Sequence, residues 1–252
     1  MTLLALPALA DNYIWLLAQG GDALVVDPGE AAPVERALAE HGLRLRAILL
    51  THHHNDHIGG ARALAARHGC RVYAPRDERI EHADARVGGG DHVVLERPAF
   101  AFDVLAIPGH TLSHVAYHGA GVLFCGDTLF SVGCGRMFEG TPAQMLASLE
   151  RLAALPGDTR VCCGHEYTQA NCAFAHGVDP SNDALAARTV QADAQRARGE
   201  PTVPSTLADE RATNPFLRID APALRETIGI DDRVARFAEL RRRKDAFRMP
   251  AP

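Results

Sequence analysis

The sequence predicts an α/β or α+β sheet domain followed by a mainly helical C-terminal portion. Up to about residue 166, short apolar runs alternate with glycine-rich loops and a few amphipathic stretches, a pattern typical of a sheet covered by helices. Beyond that point, strand-like runs give way to segments rich in Ala, Arg and Glu, such as residues 183–200. A chain of 252 residues that is 47% hydrophobic and 23% charged is sufficient for one or two folded domains.

The first third of the chain has the pattern of alternating strands and helices. Residues 23–29, ALVVDPG, end a predicted strand at a turn, and residues 46–51, RAILLT, form an apolar run typical of a buried strand. Residues 33–42 are predicted to form a helix because a proline lies in the first turn and a glycine follows the last. A second helix ends at Gly69, and residues 71–74, RVYA, follow as the next strand.

A further helix begins at a pattern that caps helix N-termini. Thr141 and Gln144 form a predicted capping box, with Pro142 at the first helical position. Four apolar residues recur on one face of this helix: Met145, Leu146, Leu149 and Leu152. In the C-terminal portion, breaker-rich segments at residues 177–183 and 200–206 separate the predicted helices.

Charge and cysteine content restrict the class of protein. The formal net charge of -5 and a pI near 6.2 provide no general positive field for nucleic acid or an anionic membrane. The six cysteines form no CxxC pair, so we expect a reducing compartment, the cytoplasm. We therefore expect a cytoplasmic protein with no nucleic acid and no membrane as partners. A small-molecule partner and a monomeric state are further expectations that charge and cysteine content do not decide.

The N-terminal run MTLLALPALADNY has two interpretations. Its segment Ala8-Leu9-Ala10 resembles a signal-peptidase site, but the run is short and lacks a preceding basic region. We interpret it as the first strand of the fold. No apolar run in the sequence reaches the roughly 18 residues that a membrane span needs.

The stretch LLTHHHNDHIGG, residues 49–60, places four histidines and an aspartate in six consecutive positions. A structural core gains nothing from this spacing, because each buried imidazole needs partners for its ring nitrogens. The motif HxHxDH lies between a predicted strand and a helix, where a tight turn can direct four donor side chains to one place: His52, His54, Asp56 and His57. The spacing therefore predicts a metal site.

Three further candidate ligands follow apolar, strand-like runs: His110, Asp127 and His165. We expect all four loops to open on one edge of a sheet, where clefts commonly form. Five histidines and two aspartates exceed what one tetrahedral ion accepts, so we predict two ions, bridged by a carboxylate such as Asp127 and sharing a water that ionises near neutral pH. Nitrogen and oxygen donors without cysteine suit zinc, iron or manganese.

The remaining histidines are interpreted as residues that do not bind metal. Isolated histidines are expected at the surface or in structural roles, among them His41, His68, His92 and His176. His53 alternates with the ligand positions, and His114 follows the loop of His110. Both are expected to support the site rather than to ligate an ion.

The combination of HxHxDH with downstream GH, GDT and GHE elements resembles the metallo-β-lactamase superfamily. That resemblance implies an α+β fold, an αββα sandwich with metals at the sheet edges. Four segments extend the resemblance to the glyoxalase II (hydroxyacylglutathione hydrolase) family: residues 126–141, 164–168, 204–218 and 241–247. This family resemblance implies a catalytic domain over residues 1–166 and a small, mainly α-helical glutathione-binding domain over residues 167–252.

The resemblance also implies roles for individual residues. Seven would hold two metals, the first three on one ion, the next three on the other and the last bridging both: His52, His54, His110, Asp56, His57, His165 and Asp127. Five match the substrate-contact segments of the family: Arg136, Phe138, Tyr167, Arg241 and Lys244. Two positions depart from the family pattern, since Ser113 stands in place of a glycine and Phe138 stands where some relatives carry tyrosine.

The implied activity is hydrolysis of the thioester S-D-lactoylglutathione to D-lactate and glutathione, in methylglyoxal detoxification. Two divalent ions, zinc first with iron or manganese as alternatives, would share a hydroxide that attacks the thioester carbonyl. Asp56, which would orient that hydroxide, and Asp127 are the candidate catalytic residues. A thiolate leaving group with a pKa of about 8.5 needs no dedicated general acid. The two glutathione carboxylates suit Arg241 and Lys244, which are neighbours on one helix face.

Two other functions are compatible with parts of the sequence. A persulfide dioxygenase of the same superfamily would use one iron, leave Asp56 and His57 without a metal and need no pair of cations in the last helix. A nucleic-acid-processing metallohydrolase would use the basic segment RRRK, residues 241–244, which otherwise has the pattern of a solvated helix end. The acidic overall charge argues against this last alternative.

Overall fold

The computed structural model describes residues 1–249. Within them the chain forms fourteen strands: β1 (Thr2–Ala8), β2 (Asn12–Gln19), β3 (Asp22–Val26), β4 (Arg44–Leu49), β5 (Arg71–Pro75), β6 (Ala85–Val87), β7 (His92–Leu95), β8 (Phe100–Ala106), β9 (Val115–Gly119), β10 (Val122–Gly126), β11 (Leu129–Phe130), β12 (Gly133–Cys134), β13 (Arg160–Cys163) and β14 (Ser205–Thr206). The same residues form nine helices: α1 (Ala32–His41), α2 (Asn55–Ile58), α3 (Ala61–His68), α4 (Pro142–Ala153), α5 (Thr168–His176), α6 (Asp183–Ala197), α7 (Leu207–Thr213), α8 (Pro222–Ile228) and α9 (Arg233–Ala246).

The described residues divide into two compact units. The first unit comprises residues 1–106, 113–126 and 162–166. The second unit comprises residues 107–112, 127–161 and the described residues from 167 onward. Helix α4 thus belongs with the C-terminal helices, although it lies within residues 1–166, the range predicted for the catalytic domain. The domain boundary at residue 166 stays a prediction.

The first unit contains a mixed six-stranded sheet in the order β1-β2-β3-β4-β5-β6. Strands β1 to β3 are antiparallel, and β3 to β6 run parallel. All of β1 pairs with β2, from Thr2 opposite Ala18 to Ala8 opposite Asn12, so the N-terminal run is a strand of the fold, as predicted. Helix α1 contacts β1, and α3 contacts β4 and β5, which joins sheet and helices in one hydrophobic core.

Two helices of this unit end as predicted, at glycines in the left-handed conformation. Gly42 follows α1 with φ 62°, and Gly69 follows α3 with φ 61°. Glycine adopts this conformation without the steric cost that a Cβ atom would add. The other strands and helices predicted in the first third of the chain are also confirmed, with bounds shifted by a few residues at most.

A second sheet has the strand order β14-β13-β10-β9-β8-β7. Two sheets with helices confirm the predicted α+β fold of the αββα type. The expectation that all four ligand-bearing loops open on one edge of one sheet is wrong. The histidine-rich loop follows β4 of the first sheet, whereas the other three loops follow β8, β10 and β13 of the second. A short apolar run identifies a strand but not the sheet that it joins.

The second unit is helical apart from two short strand pairs. Helix α4 begins at the predicted capping box, in which Thr141 and Gln144 exchange side-chain and backbone hydrogen bonds. Its predicted apolar face is buried: Met145, Leu146, Leu149 and Leu152. Helix α4 packs on α9, α5 on α6, α6 on α7 and α8 on α9. Strand β14, which pairs with Arg160 and Val161 of β13, is an exception to the predicted loss of strands after residue 166.

All six cysteines are buried and free. Burial raises the pKa of the Cys70 and Cys134 thiols to about 11, so both are protonated and unreactive at neutral pH. No helix within residues 1–249 is long and apolar enough to cross a membrane.

Candidate metal centre

The histidine cluster lies in the first unit, between β4 and the short helix α2. His52 and His57 are buried, whereas His54 and Asp56 are partly exposed. The Nε2 atom of His52 lies 3.1 Å from Nδ1 of His54, and the ring centroids of His52 and His57 are 4.2 Å apart. The tight connection from strand to helix therefore gathers these nitrogen donors into one cluster.

Asp56, His57 and His165 each present one donor atom, and these atoms lie within 4.8 Å of one another. Oδ2 of Asp56 lies 3.5 Å from Nε2 of His57 and 3.5 Å from Nε2 of His165. Both separations exceed the usual hydrogen-bond range of about 2.7–3.2 Å. Two ligand atoms that each lie about 2.0–2.1 Å from one tetrahedral ion are about 3.4 Å apart, so this donor set fits a divalent cation.

The second unit contains a pair of candidate donors of its own, His110 and Asp127. Nε2 of His110 lies 3.6 Å from Oδ2 of Asp127, again closer to the spacing of two ligands on one ion than to a hydrogen bond. The other ring nitrogen of His110, Nδ1, donates to the Arg136 carbonyl at 2.8 Å. Only 7% of Asp127 is exposed, and a carboxylate so buried requires a nearby cation or hydrogen-bond donors. The pair therefore fits a metal ion.

Carboxylates behind the rings orient two of these histidines. Nδ1 of His57 lies 3.1 Å from Oδ2 of Asp27, and Nδ1 of His165 lies 2.8 Å from Oδ1 of Asp11. An ionised carboxylate only accepts, so Nδ1 donates, and in a neutral imidazole the lone pair is then on Nε2. Nε2 is the nitrogen that faces Asp56, so the residues behind the rings select the nitrogen that would bind metal.

Three residues that support the site were not predicted: Asp27, Asp11 and Asn12. Asp27 accepts hydrogen bonds from the N–H and the hydroxyl of Thr51, at 2.8 and 2.7 Å. Nδ2 of Asn12 donates to Oδ2 of Asp56 at 3.1 Å. Asp27 directly follows strand β3. The predicted ligands also lie just after strands, so the sequence does carry a signal for Asp27. Asp11 directly precedes β2 and Asn12 is its first residue, so neither follows a strand and neither has a comparable signal.

His53 and His114 occupy supporting positions in the first unit. The ring of His114 stacks on that of His52, with centroids 4.6 Å apart and 14° between the planes. Nδ1 of His53 lies 3.5 Å from Oδ2 of Asp77. The same carboxylate oxygen accepts a hydrogen bond from the hydroxyl of Ser113 at 2.5 Å. Ser113, which stands where the family pattern has glycine, thus forms a hydrogen bond with Asp77, and Asp77 is not a candidate metal ligand.

The isolated histidines named in the sequence lie outside the donor clusters found in residues 1–249: His41, His68, His92 and His176. Three of them form a hydrogen bond of 2.8–3.1 Å with a side chain: His68, His92 and His176. His41 is exposed at the end of α1. These positions suit the surface and structural roles expected of them.

A cavity of about 370 Å³ lies within the second unit. It is lined by the donors His110 and Asp127 and by all five predicted substrate-contact residues: Arg136, Phe138, Tyr167, Arg241 and Lys244. Aromatic, small and polar residues complete the wall: Phe130, Cys134, Gly135, Ala170, Asn171 and Phe247. One ligand-sized space is therefore lined by metal-donor atoms and by cationic side chains.

Helix geometry divides the basic segment RRRK of α9. Arg241 and Lys244 line the cavity. Arg242 and Arg243 instead form ion pairs with Glu239, at 2.7 and 2.9 Å. The segment is therefore neither a uniformly solvated helix end nor a continuous basic patch.

The two cations that line the cavity differ in their own contacts. Nη1 of Arg241 donates to the Cys134 carbonyl at 2.7 Å, and its Nε and Nη2 bond Asp245. Nζ of Lys244 donates to the Ala170 carbonyl at 3.0 Å and lies 5.3–5.4 Å from two phenylalanine ring centroids. Burial, together with the positive charge of Arg241, lowers the pKa of Lys244 to about 8. Lys244 is therefore a partly desolvated cation.

Phe138 and Tyr167 supply aromatic surface to the cavity. Phe138 is 64% exposed, and its ring centroid lies 5.2 Å from that of His110. Its N–H donates to the His110 carbonyl at 3.2 Å. The ring of Tyr167 meets that of Phe130 edge-on, with centroids 5.2 Å apart. Phe138, without a hydroxyl group, offers an apolar contact next to a candidate ligand.

Two protein families match successive segments of this chain. Residues 10–165 match the family described as "Metallo-beta-lactamase superfamily", and residues 166–247 match "Hydroxyacylglutathione hydrolase C-terminus". The hydroxyacylglutathione hydrolase of Cupriavidus metallidurans is 54% identical over 260 residues, which cover 96% of this chain and 98% of that protein.

Solved structures share the fold. The BLEG-1 B3 metallo-β-lactamase matches with a TM-score of 0.67 at 25% identity, over 86% of this chain and 99% of that one. The protein TTHA1623, solved in a di-iron-bound form, matches with a TM-score of 0.61 at 26% identity, over 86% of this chain and 100% of that one.

The two family matches follow one another without overlap and together span residues 10–247. The high identity to the relative extends across both matches, which distinguishes this chain from proteins that share the fold alone. The chain belongs to the hydroxyacylglutathione hydrolase family of the metallo-β-lactamase superfamily.

Proposed function

We propose that the protein hydrolyses S-D-lactoylglutathione, or a related S-2-hydroxyacylglutathione, to the hydroxy acid and glutathione, in methylglyoxal detoxification. The observation that carries this proposal is the cavity of the second unit, which is lined by metal-donor atoms and cationic side chains. A glutathione thioester needs both, because its carbonyl must be activated and its two carboxylates must be paired. The relative from Cupriavidus metallidurans, a hydroxyacylglutathione hydrolase, is named for the same reaction.

We infer a centre of two divalent ions, zinc in the first place, with iron or manganese as alternatives. Seven residues would hold them, three on each ion and the last shared: His52, His54, His110; Asp56, His57, His165; Asp127. The separations of 3.5 and 3.6 Å between imidazole nitrogens and carboxylate oxygens support this assignment, as does the di-iron form of TTHA1623. When bound, such ions supply a Lewis acid for the carbonyl and a nucleophilic water at neutral pH.

The side chains of the protein would set the geometry of the attack. Asp127 would donate to both ions and so fix their separation. Asp56, whose carboxylate accepts the Asn12 amide at 3.1 Å, would orient the attacking water toward the thioester. The carboxylates behind His57 and His165 keep each Nε2 directed at Asp56. These fixed groups need no rearrangement as the reaction proceeds.

Positive side chains would recognise the glutathione moiety. An ammonium group has three N–H donors, and Lys244 gives one to the Ala170 carbonyl, which leaves donors for a substrate carboxylate. Arg241 gives Nη1 to the Cys134 carbonyl and bonds Asp245, so it both shapes the cavity wall and contributes charge. Arg136, the third cation of the cavity, is largely exposed.

The leaving group demands little of the protein. A thiolate with a pKa of about 8.5 departs without prior protonation, unlike an amine or alkoxide. A general acid is therefore not required, and the proposed mechanism assigns none.

The alternative functions have less support. A one-iron persulfide dioxygenase would not use the donors Asp56, His57 and His165, whose spacing fits a cation. The basic segment of α9 offers no continuous surface to a nucleic acid, because Arg242 and Arg243 are paired with Glu239. We further propose that the enzyme acts as a cytoplasmic monomer without a nucleic-acid or membrane partner.

Zinc-loaded protein is expected to release D-lactate and free thiol in equal amounts from S-D-lactoylglutathione, with oxygen excluded, because hydrolysis consumes only water. Both products are measured in the same reaction. Oxygen uptake by iron-loaded protein with glutathione persulfide, measured separately in air, serves as the control for the dioxygenase. Oxygen uptake without thioester hydrolysis would overturn the proposal, and a salt-sensitive shift of RNA or DNA would favour the nucleic-acid alternative.

A further inference from the structure

The hairpin of β11 and β12 links the two candidate ligands of the second unit. Asp127 lies just before strand β11, and Arg136 lies just after strand β12. At the base of the hairpin, the Gly135 N–H donates to the Thr128 carbonyl at 3.2 Å, and a Cβ atom on Gly135 would lie 1.8 Å from the Asp127 carbonyl oxygen. The Arg136 carbonyl accepts Nδ1–H of His110 at 2.8 Å. One hairpin thus carries a donor carboxylate and the group that orients a donor imidazole.

The tip of this hairpin has an unfavourable backbone conformation. Val132, the second residue of its two-residue turn, has φ 58°, in the left-handed region that β-branched residues rarely adopt. A two-residue turn in which only the second residue has positive φ is a type II turn, and this position normally requires glycine. The backbone twist of a type II turn also does not match the twist of the paired strands in a hairpin. Such a conformation persists only where the surrounding structure imposes it.

Two fully buried side chains impose it, Glu210 and Asn214. Oε2 of Glu210 accepts the Val132 N–H at 2.8 Å. Nδ2 of Asn214 donates to the carbonyls of Phe130 and Gly133 at 3.1 and 2.9 Å. The same amide nitrogen lies 3.0 Å from Oε2 of Glu210, so the two side chains form one clamp around the turn.

The clamp is built from groups that are costly to bury. Burial raises the pKa of Glu210, and the hydrogen bonds to it offset only part of that effect. An apolar residue of similar size would avoid this desolvation but would leave the Val132 N–H without an acceptor. Asn171 and Arg188 add hydrogen bonds of 2.9 and 3.1 Å to Ser131, the other turn residue. The polar contacts therefore converge on the turn.

We propose that Glu210 and Asn214 are positioning residues for the metal centre: they fix the hairpin tip, and the hairpin fixes Asp127 and His110. This inference rests on the proposed function, because it requires His110 and Asp127 to be metal ligands. Neither clamp residue lines the cavity, so their effect on a bound ion must pass through the hairpin. Their loss should therefore change metal affinity as well as stability.

The test measures Zn²⁺ affinity of the full-length protein by competition with a chelator. Glu210→Leu removes the acceptor of the Val132 N–H, and Asn214→Asp places an acceptor against the two hairpin carbonyls. Each is expected to weaken Zn²⁺ binding about tenfold, the lower end of the loss found when a residue that orients metal ligands is removed. Glu210→Gln keeps an oxygen that can accept both bonds and should stay within about threefold of the wild type.

Thr213→Val is the matched control for a loss of stability alone. Thr213 lies in helix α7 with Glu210, is 3% exposed, and donates to the Asp209 carbonyl rather than to the hairpin. It should lower Tm and leave Zn²⁺ affinity unchanged. If Glu210→Leu does not fold, the nearly isosteric Asn214→Asp decides.

The Zn²⁺ measurements distinguish failure of the positioning role from failure of the proposed metal centre. Clamp variants that lose stability as Thr213→Val does, yet bind Zn²⁺ as tightly as the wild type, would overturn the positioning role. Wild-type protein that binds no Zn²⁺ would instead overturn the proposed metal centre.

Discussion

Replacing Asp127 with alanine is expected to lower kcat by about 10³-fold or more. Asp127 is the residue proposed to donate to both ions, and its Oδ2 lies 3.6 Å from Nε2 of His110. Its loss would uncouple the two sites, and a loss of about 4 kcal/mol in transition-state stabilisation corresponds to about 10³ in rate. The measurement is kcat with S-D-lactoylglutathione at saturating substrate, with metal content determined on the same samples.

Asp103→Ala provides the matched control. Asp103 is an exposed carboxylate on β8 that pairs with His92 at 2.8 Å. Because exposed ion pairs contribute little, this variant should keep kcat within about twofold of the wild type. Turnover by Asp127→Ala at the wild-type rate would contradict the bridging role.

Lys244→Met is expected to raise KM for S-D-lactoylglutathione with little change in kcat. Methionine keeps an unbranched stem near Phe174 and Phe247 but removes the ammonium group. A hydrogen bond to a charged group contributes about 1.5–3 kcal/mol, so KM should rise about tenfold to hundredfold. A contact made equally in the substrate complex and the transition state affects KM rather than kcat. Removing Arg241 would be harder to interpret, because the Cys134 carbonyl would lose its donor.

The pH dependence of KM provides a second readout for Lys244. Its pKa is lowered to about 8, so the ammonium form that pairs with a carboxylate predominates below this pH and is lost above it. KM of the wild type should therefore rise above about pH 8, and Lys244→Met should lack this rise. Arg242→Met, on the same helix but paired with Glu239 outside the cavity, should behave as the wild type. An unchanged KM for Lys244→Met would show that this side chain does not bind the glutathione moiety.

The candidate ligands could be predicted from the sequence because their signals are local. His52, His54, Asp56 and His57 are nearly adjacent, and the apolar runs before all four ligand loops are strands in the structure. Helical periodicity likewise separates Arg241 and Lys244 from the two arginines between them, as the cavity lining shows. Patterns within a few residues are thus sufficient to identify donors and the faces of a helix.

Asp11 and Glu210 could not be predicted as supporting residues, because their contacts join distant parts of the chain. Asp11 bonds His165 across 154 positions, and nothing in a single acidic turn residue indicates that partner. Glu210 has the pattern of an ordinary polar residue in a short helix, yet it is fully buried and binds an amide 78 positions earlier. The assignment of the four ligand loops to two sheets was missed for the same reason, since strand pairing is set by tertiary structure.

The central claim is a two-ion centre in which both ions are needed for thioester hydrolysis. It is tested most directly by titrating metal-free protein with Zn²⁺ while measuring hydrolysis of S-D-lactoylglutathione and bound metal in the same samples. We expect no turnover without metal and activity that rises until two ions are bound per chain. Full activity at one ion per chain, unchanged when a second ion binds, would contradict this account.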